Sequence, residues 1–456
     1  MAYNSKRGKR PMEWASKSSH TNIIKDSSIQ DFLKLCDLPK TSYEIDVSST
    51  QSIAIDDLRE NPIKRIIAID GGYKEVSVKN EFPSSKVAFM QFGATFFEVS
   101  DLENLKSLPF IDEEDMKKLR DIERIKLVIP TKGITLKEAP SLNISIRKTI
   151  YDFFIKKPDD RNHFIDTLKW FIFKEYYNEK ECKDEYSQYQ LASCPNLGCN
   201  SKKVILYKEK MDEKYQFICP NCEQKIFLTD VFRLHEVIDE ELGASGILGY
   251  LVSLIEQIFI VHIIRLMLKT RASLLEETLF IKDGPLAFFG QTANMHKPMR
   301  ELLNYLNKSR KLYLVGIEKT GAFVEHADQI REKMKPGEVL LLNNDYIYKY
   351  IIPGEADPKN PYASTSYYSG KIIFKDRNEK MYVVTLPIKD PFVINNPQKD
   401  DYKNIDVILN NIEKLKCDMY DDALLPIALV NKLVSLADHP SSVILEKFAK
   451  SKLHGH

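Results

Sequence analysis

Excess charge of one sign is what this sequence lacks. Its 66 Lys and Arg face 65 Asp and Glu, for a net charge of +1. That balance excludes the global basic footprint of a domain that grips nucleic acid over its whole surface. Any attraction for DNA or RNA must be local or come from a partner. Glycine and proline are also modest, at 17 and 21 in 456 residues, which excludes collagen-like and low-complexity classes. With 23 Phe and 22 Tyr, wholesale disorder is excluded too. Seven cysteines is an odd number, and the polar stretch Met1 to Ser19 has no apolar core of a signal peptide. A secreted disulfide framework is therefore not expected, and a cytoplasmic protein is. The Lys6-Arg7-Gly8-Lys9-Arg10 cluster reads as a solvated tail, with nucleic-acid contact as the alternative.

What is present is enough apolar sequence for a sizeable core, in a chain long enough for about two or three domains. After a polar leader with a short amphipathic helix around Ile29 to Leu35, the run Lys64 to Ile69 reads as a buried strand closed by Asp70-Gly71-Gly72. Strand-like sequence continues from Lys86 to Val99, so a meander over residues 65 to 100 is expected. Residues 101 to 180 read as mostly helical. Ile247 to Leu268 is apolar enough to span a bilayer. Glu256, Gln257, His262 and Arg265 interrupt it, so a helix buried in protein is the expectation and no membrane partner is. Beyond it, strand Leu279 to Lys282, helix Lys297 to Lys308, strand Leu312 to Ile317, helix Ala322 to Met334 and strand Val339 to Leu342 alternate as in a parallel α/β arrangement.

Cys194-Pro-Asn-Leu-Gly-Cys199 and Cys219-Pro-Asn-Cys222 form a C-x4-C…x19…C-x2-C pattern, with strands expected at Val204 to Tyr207 and Tyr215 to Ile218. Two thiolate pairs on tight turns suit tetrahedral Zn²⁺, and four thiolates leave no open position for substrate, so the zinc is structural. Cys36, Cys182 and Cys417 fall outside the pattern.

Two strands end in Asp-Gly, at Asp70 and at Asp283, and Glu256 is isolated in the apolar helix. Asp-Gly alone is ordinary turn chemistry. All three are explained together if they converge on Mg²⁺ or Mn²⁺, which prefer carboxylate oxygens and clamp the reacting oxygens of a phosphodiester. The rival for Glu256 is a salt bridge to Arg265 or another buried cation. Glu276 and Glu277 are weaker alternatives to Glu256. Lys319 closes a further strand, where it either meets a phosphate or faces solvent beside Glu318. Ser366-Tyr367-Tyr368 with Lys371 reads as sheet packing, with DNA contact as the alternative.

The segments AIDGG (68–72), FIKDGPLAFFG (280–290), GIEKTGAFVEHA (316–327) and CDMYDDALLPIALVNK (417–432) resemble the NurA-type nucleases. More closely, with the cysteine pairs and LTDVFRLHEVIDE (228–240), they resemble the bacterial zinc-ribbon branch that accompanies HerA-type hexameric ATPases. The resemblance implies an α/β fold with an RNase H-like core and mixed sheet, interrupted by a helical and zinc-ribbon insertion. The divisions expected are a leader (1–63), a first core part (64–105), an insertion (106–240, ribbon 191–228) and a second core part (241–456). It implies a divalent-metal DNase, in DNA end processing or defence against foreign DNA, acting as a homodimer docked to a HerA-type ATPase. Carried over, Asp70, Asp283 and Glu256 hold Mn²⁺ or Mg²⁺ and Lys319 contacts phosphate. Asn431 stands where archaeal relatives have a histidine, and would ligate more weakly. The alternative is a zinc-ribbon adaptor for DNA or the ATPase, keeping the scaffold without the chemistry. Since a motor can thread DNA into the site, the isolated chain is expected to bind DNA weakly and in a salt-sensitive way.

Overall fold

The computed structural model describes residues 23–100, 123–156, 163–177, 184–416, 424–436 and 441–453. The Lys6 to Arg10 cluster, Cys182 and Cys417 lie outside them. The chain divides between Asp46 and Val47. In the first unit, helix α1 (Ser27–Lys34) is the expected short amphipathic helix, and the Asp26 carboxylate caps it by accepting the Ser28 N–H at 2.9 Å.

The second unit is built on one nine-stranded mixed sheet. Along the chain come β1 (Gln51–Ala54), β2 (Arg65–Ser77), β3 (Lys86–Glu98) and β4 (Glu123–Lys132). Helices α2 (Leu142–Ile155) and α3 (Phe164–Ile172) lead into two small hairpins, β5 (Gln188–Ser193) with β6 (Lys202–Tyr207) and β7 (Gln216–Ile218) with β8 (Lys225–Phe227). Then follow α4 (Leu248–Thr270), β9 (Thr278–Asp283), α5 (His296–Ser309), β10 (Tyr313–Glu318), α6 (Ala322–Gln329), β11 (Glu338–Leu341) and α7 (Asn344–Tyr350). The hairpin β12 (Ser369–Lys375) and β13 (Met381–Pro387) precedes α8 (Ile405–Lys414), α9 (Leu425–Val434) and α10 (Ser441–Leu453). The sheet runs β1-β11-β12-β13-β10-β9-β2-β3-β4. Its half β4-β3-β2-β9-β10, an antiparallel meander joined to two parallel strands, is the expected RNase H-like core, and the helical and ribbon segment interrupts it between β4 and β9.

Four expectations change. Glycines 71 and 72 do not close the first strand: β2 continues to Ser77 and pairs with β3 over its whole length. β4 lies in the stretch read as helical, and its alternating Ile125, Leu127 and Ile129 bury one face. β1, inside the polar leader, adds an edge strand on β11. Only β9 and β10 of the three later strands pair parallel, because the β12–β13 hairpin sits between β10 and β11 and turns β11 antiparallel.

Side chains alternate across the sheet, and two glycines show what covers each face. A Cβ on Gly71 would lie 2.7 Å from the Phe92 ring and 3.1 Å from Val252 of α4. A Cβ on Gly72 would lie 2.9 Å from the Val434 carbonyl of α9, and Gln91, opposite Gly72, donates to the Leu433 carbonyl at 2.7 Å. So α4 covers the face of Ile69, Gly71 and Phe92, while α9 covers that of Asp70, Gly72 and Gln91. The Gly-Gly pair is there because helices approach the strand closely from both sides.

Helix α4 is long and apolar enough to cross a membrane by length and composition, but it is buried within the protein along most of its length. Three of its polar residues bond inside the protein: Gln257 donates to the Ala287 carbonyl at 2.6 Å, His262 Nδ1 lies 2.7 Å from Thr167 Oγ1, and Arg265 donates to the same hydroxyl at 3.3 Å. These bonds tie α4 to α3 and to the loop after β9, which is how a helix carrying such groups stays in a core.

Candidate active site and metal centre

The sequence places an aspartate at the same level of two adjacent parallel strands. Ile69 of β2 is in register with Lys282 of β9, so the next residues, Asp70 and Asp283, lie side by side on the α9 face. Asp70 is buried and accepts the Gly71 N–H at 2.8 Å. Burial first, then the charges of Asp283 and Glu256, push its carboxyl up to about 7, against the pull of the Gly71 N–H and Lys319. The pull of Lys319 does not offset these effects.

Lys319, just past β10, donates to Asp283 Oδ2 at 2.7 Å, and both side chains retain some access to solvent. It therefore stands at the open edge of the acidic pair. Gly284, with φ +84°, turns the chain after Asp283 and returns its N–H to the Ile317 carbonyl at 2.7 Å. The Asp-Gly turn and the acidic pair are thus two uses of one dipeptide.

Glu256 projects from α4 on the other face. Its Oε2 lies 2.7 Å from Lys282 Nζ, with side-chain exposures of 6% and 3%. Lys282 Nζ also donates to the Asp283 carbonyl at 2.7 Å. Burial first, then the charge of Asp283, raise the Glu256 carboxyl above its usual range, while Lys282 and the Gly71 N–H pull it back. The cation that meets Glu256 is Lys282 rather than Arg265, which is bonded to Thr167. Glu277 pairs with Lys64 at 2.9 Å and Arg65 at 3.1 Å, and Glu276 lies 3.8 Å from Arg310, so both belong to the opposite end of the β2–β9 pair from Asp70. Asn431 is exposed on α9, the helix covering the Asp70 face. Ser366, Tyr367 and Tyr368 do not form a DNA-contacting surface: both rings are buried, and Lys371 pairs with Glu318 at 2.6 Å beneath the Phe323 ring.

The four ribbon thiols lie within 4.8 Å of one another. Cys194 to Cys222 and Cys199 to Cys219 are each 3.9 Å apart. A tetrahedron with Zn–S bonds of about 2.3 Å has edges of about 3.8 Å. The donor set therefore fits one tetrahedral ion, and the four cysteines fit a zinc ribbon. The amide of Asn196 donates to Cys194 and Cys222 at 3.5 Å, and that of Asn221 donates to Cys199 at 3.5 Å. The Asn221 bond is the main cause holding the Cys199 thiol below its usual range, whereas burial pushes the Cys194 thiol up.

No family model and no curated protein matches this sequence. Among solved structures the chain is similar to the NurA nuclease from Sulfolobus solfataricus, at 9% identity over 96% of this chain and 98% of that one, with a TM-score of 0.34. It is also similar to a second structure described as NurA, at 10% identity over 97% and 99% of the two chains, with a TM-score of 0.26.

Two groups of residues escaped the sequence reading. Lys282 interrupts an apolar strand just as Glu256 interrupts an apolar helix, and matching intrusions of opposite charge were the available signal. The other is Arg147 of α2, buried, with Nε 2.9 Å and Nη2 2.7 Å from the two oxygens of Asp230, and Nη1 3.1 Å from Asn196 Oδ1. Asn196 stands out in the sequence only as part of a Pro-Asn turn. Its contact with two sulfurs is a tertiary fact.

Proposed function

We propose that this protein is a DNA nuclease that hydrolyses phosphodiesters with a divalent cation, Mn²⁺ or Mg²⁺, held at Asp70 and Asp283. The observation that carries the reading is the side-by-side placement of these carboxylates, one buried and pushed up to about 7, with Lys319 at their open edge. Hard oxygen ligands of this kind select Mg²⁺ or Mn²⁺, and a structural Zn²⁺ suits the four thiols. When bound, the divalent ion supplies Lewis-acid activation of water and of the phosphate. Asp70, anchored by the Gly71 N–H, and Asp283, whose Oδ2 accepts from Lys319, would hold the ion between them. Lys319, a point charge partly open to solvent, would meet a phosphate oxygen. Asn431, exposed on the helix over the same face, would add a neutral oxygen ligand.

DNA as substrate, a HerA-type ATPase as partner, a homodimer, and a role in end processing or defence against foreign DNA all rest on the motif segments around Asp70, Asp283 and Lys319. The test is Asp283→Asn beside the parent protein, each with and without the ATPase, assayed for DNA degradation in Mn²⁺. Loss of degradation with retained zinc and fold supports the assignment. Equal degradation by both would sink it, and inactivity of the parent in every condition would establish the adaptor instead.

A further inference from the structure

The three carboxylates expected to share metal lie close enough to feel one another's charge, but they reach the centre from two sides of the sheet. Along β2, Ile69 and Gly71 face α4, whereas Asp70 and Gly72 face α9. The β2–β9 register places Lys282 with Ile69, on the α4 face, and Asp283 with Asp70. Glu256, on α4, therefore meets Lys282 in a nearly dry contact at 2.7 Å, while Asp70 and Asp283 adjoin each other on the opposite face. Oxygens across an octahedral ion with bonds of about 2.1 Å lie about 4.2 Å apart. Among the described residues, only the four cysteines bring three or more possible ligand atoms within 4.8 Å of one another.

From this arrangement we infer that the acidic centre takes one divalent ion, on Asp70 and Asp283, and that the Lys282 ammonium replaces a second ion by neutralising Glu256. Lys282 is held for that task at two points, by Glu256 and by the Asp283 carbonyl. The second bond joins the buried pair to the backbone of the ion's own ligand. Lys282 is thus a positioning residue: it fixes where Asp283 leaves the strand, and it keeps Glu256 from acting as a ligand. A divalent ion on Glu256 would have to displace an ammonium whose side chain is only 3% exposed, leaving two cations in contact in a desolvated place. A second metal is then not needed to balance Glu256, and Lys319 supplies positive charge where a second ion would meet phosphate.

The inference rests on the metal-dependent reading above, and counting ions separates the two. Zinc-loaded protein without DNA is titrated with Mn²⁺, following heat by calorimetry and free Mn²⁺ by electron paramagnetic resonance, with zinc content measured in parallel. The wild type is expected to bind one Mn²⁺ per chain. Glu256→Gln keeps that ion with its Kd changed less than about threefold, while Asp283→Asn weakens it more than tenfold. Lys282→Met, which keeps the length of the stem but frees Glu256, gains a second Mn²⁺. If a bare Glu256 prevents that variant from folding, the Lys282→Met/Glu256→Gln double variant, with no unpaired charge, must still bind one. Two ions in the wild type, or loss of the ion in Glu256→Gln, would overturn the one-ion assignment and leave the metal-dependent reading intact. No Mn²⁺ bound at millimolar concentration would overturn both.

Discussion

Replacing Arg147 with Met removes a buried charge while keeping an unbranched, apolar stem in its place. Arg147 and Asp230 have side-chain exposures of 5% and 2%, so the change strands the Asp230 carboxylate out of water. Breaking such a pair from one side costs about 3–5 kcal/mol. Asp230 keeps one bond, from the Phe227 N–H at 2.8 Å, which puts the loss near the lower end, about 3 kcal/mol. The lost bond to Asn196 adds about 1 kcal/mol. The sum, about 4 kcal/mol, is roughly three decades in the folded-to-unfolded ratio. The same substitution frees the amide of Asn196, which Arg147 holds by its oxygen while its nitrogen faces Cys194 and Cys222. Urea unfolding of the zinc-loaded protein measures the first effect, and the rate at which a chromogenic chelator strips zinc measures the second. Arg147→Met/Asp230→Leu, which removes both charges, should recover at least half of the lost stability. A loss under 1 kcal/mol, or unchanged zinc release, would show that the pair does not lock α2 to the ribbon.

Cys219→Ser should leave the ribbon without bound zinc and expose the α2–β8 region to protease, as read by metal analysis and limited proteolysis; full zinc occupancy would contradict the four-thiol site. Gly71→Ala pushes a methyl group to 2.7 Å from the Phe92 ring and should destabilise the protein by about 1–3 kcal/mol in urea unfolding. Histidines 296 and 326 are buried, and burial lowers both to about 4. The unfolded chain therefore takes up protons near 6.5 while the folded one does not, so stability present above pH 6.5 is lost as pH falls towards 4, at about 2–3 kcal/mol for each histidine. Unfolding curves at pH 7 and pH 5 check this, and His326→Gln should flatten the dependence; an equal slope in the variant would contradict it.

Periodicity and turn chemistry made α4, β9, α5, β10 and the ribbon hairpins legible, because each is a local apolar pattern with a clear stop. β4 is misread as helical for the same reason. Charged residues alternating with Ile125, Leu127 and Ile129 look like a polar helical surface until β3 supplies the neighbour that makes them one face of a strand. The order of β10 and β11 was likewise illegible, since short strands joined by helices suggest parallel pairing whether or not a later hairpin comes between them.

The acidic centre shows a sharper limit. Asp70 and Asp283 could be picked out because each ends an apolar run in an Asp-Gly step, and register then makes them neighbours. Glu256 carried as strong a signal, an ionisable residue in a wholly apolar helix, yet such a residue announces only that something must neutralise it. Metal and lysine satisfy that demand equally well in a sequence. What brings a lysine to Glu256 is the parity of a strand: Lys282 and Asp283 are adjacent, so they face opposite sides of the sheet, and whichever side α4 covers receives the lysine. Gly71 against Val252 fixes that side. Had β9 been one residue out of register with β2, Asp283 would have faced Glu256 across a shared site and Lys282 would have joined Asp70. The sides taken by Asp70, Lys282 and Asp283 therefore follow from one register, Ile69 with Lys282.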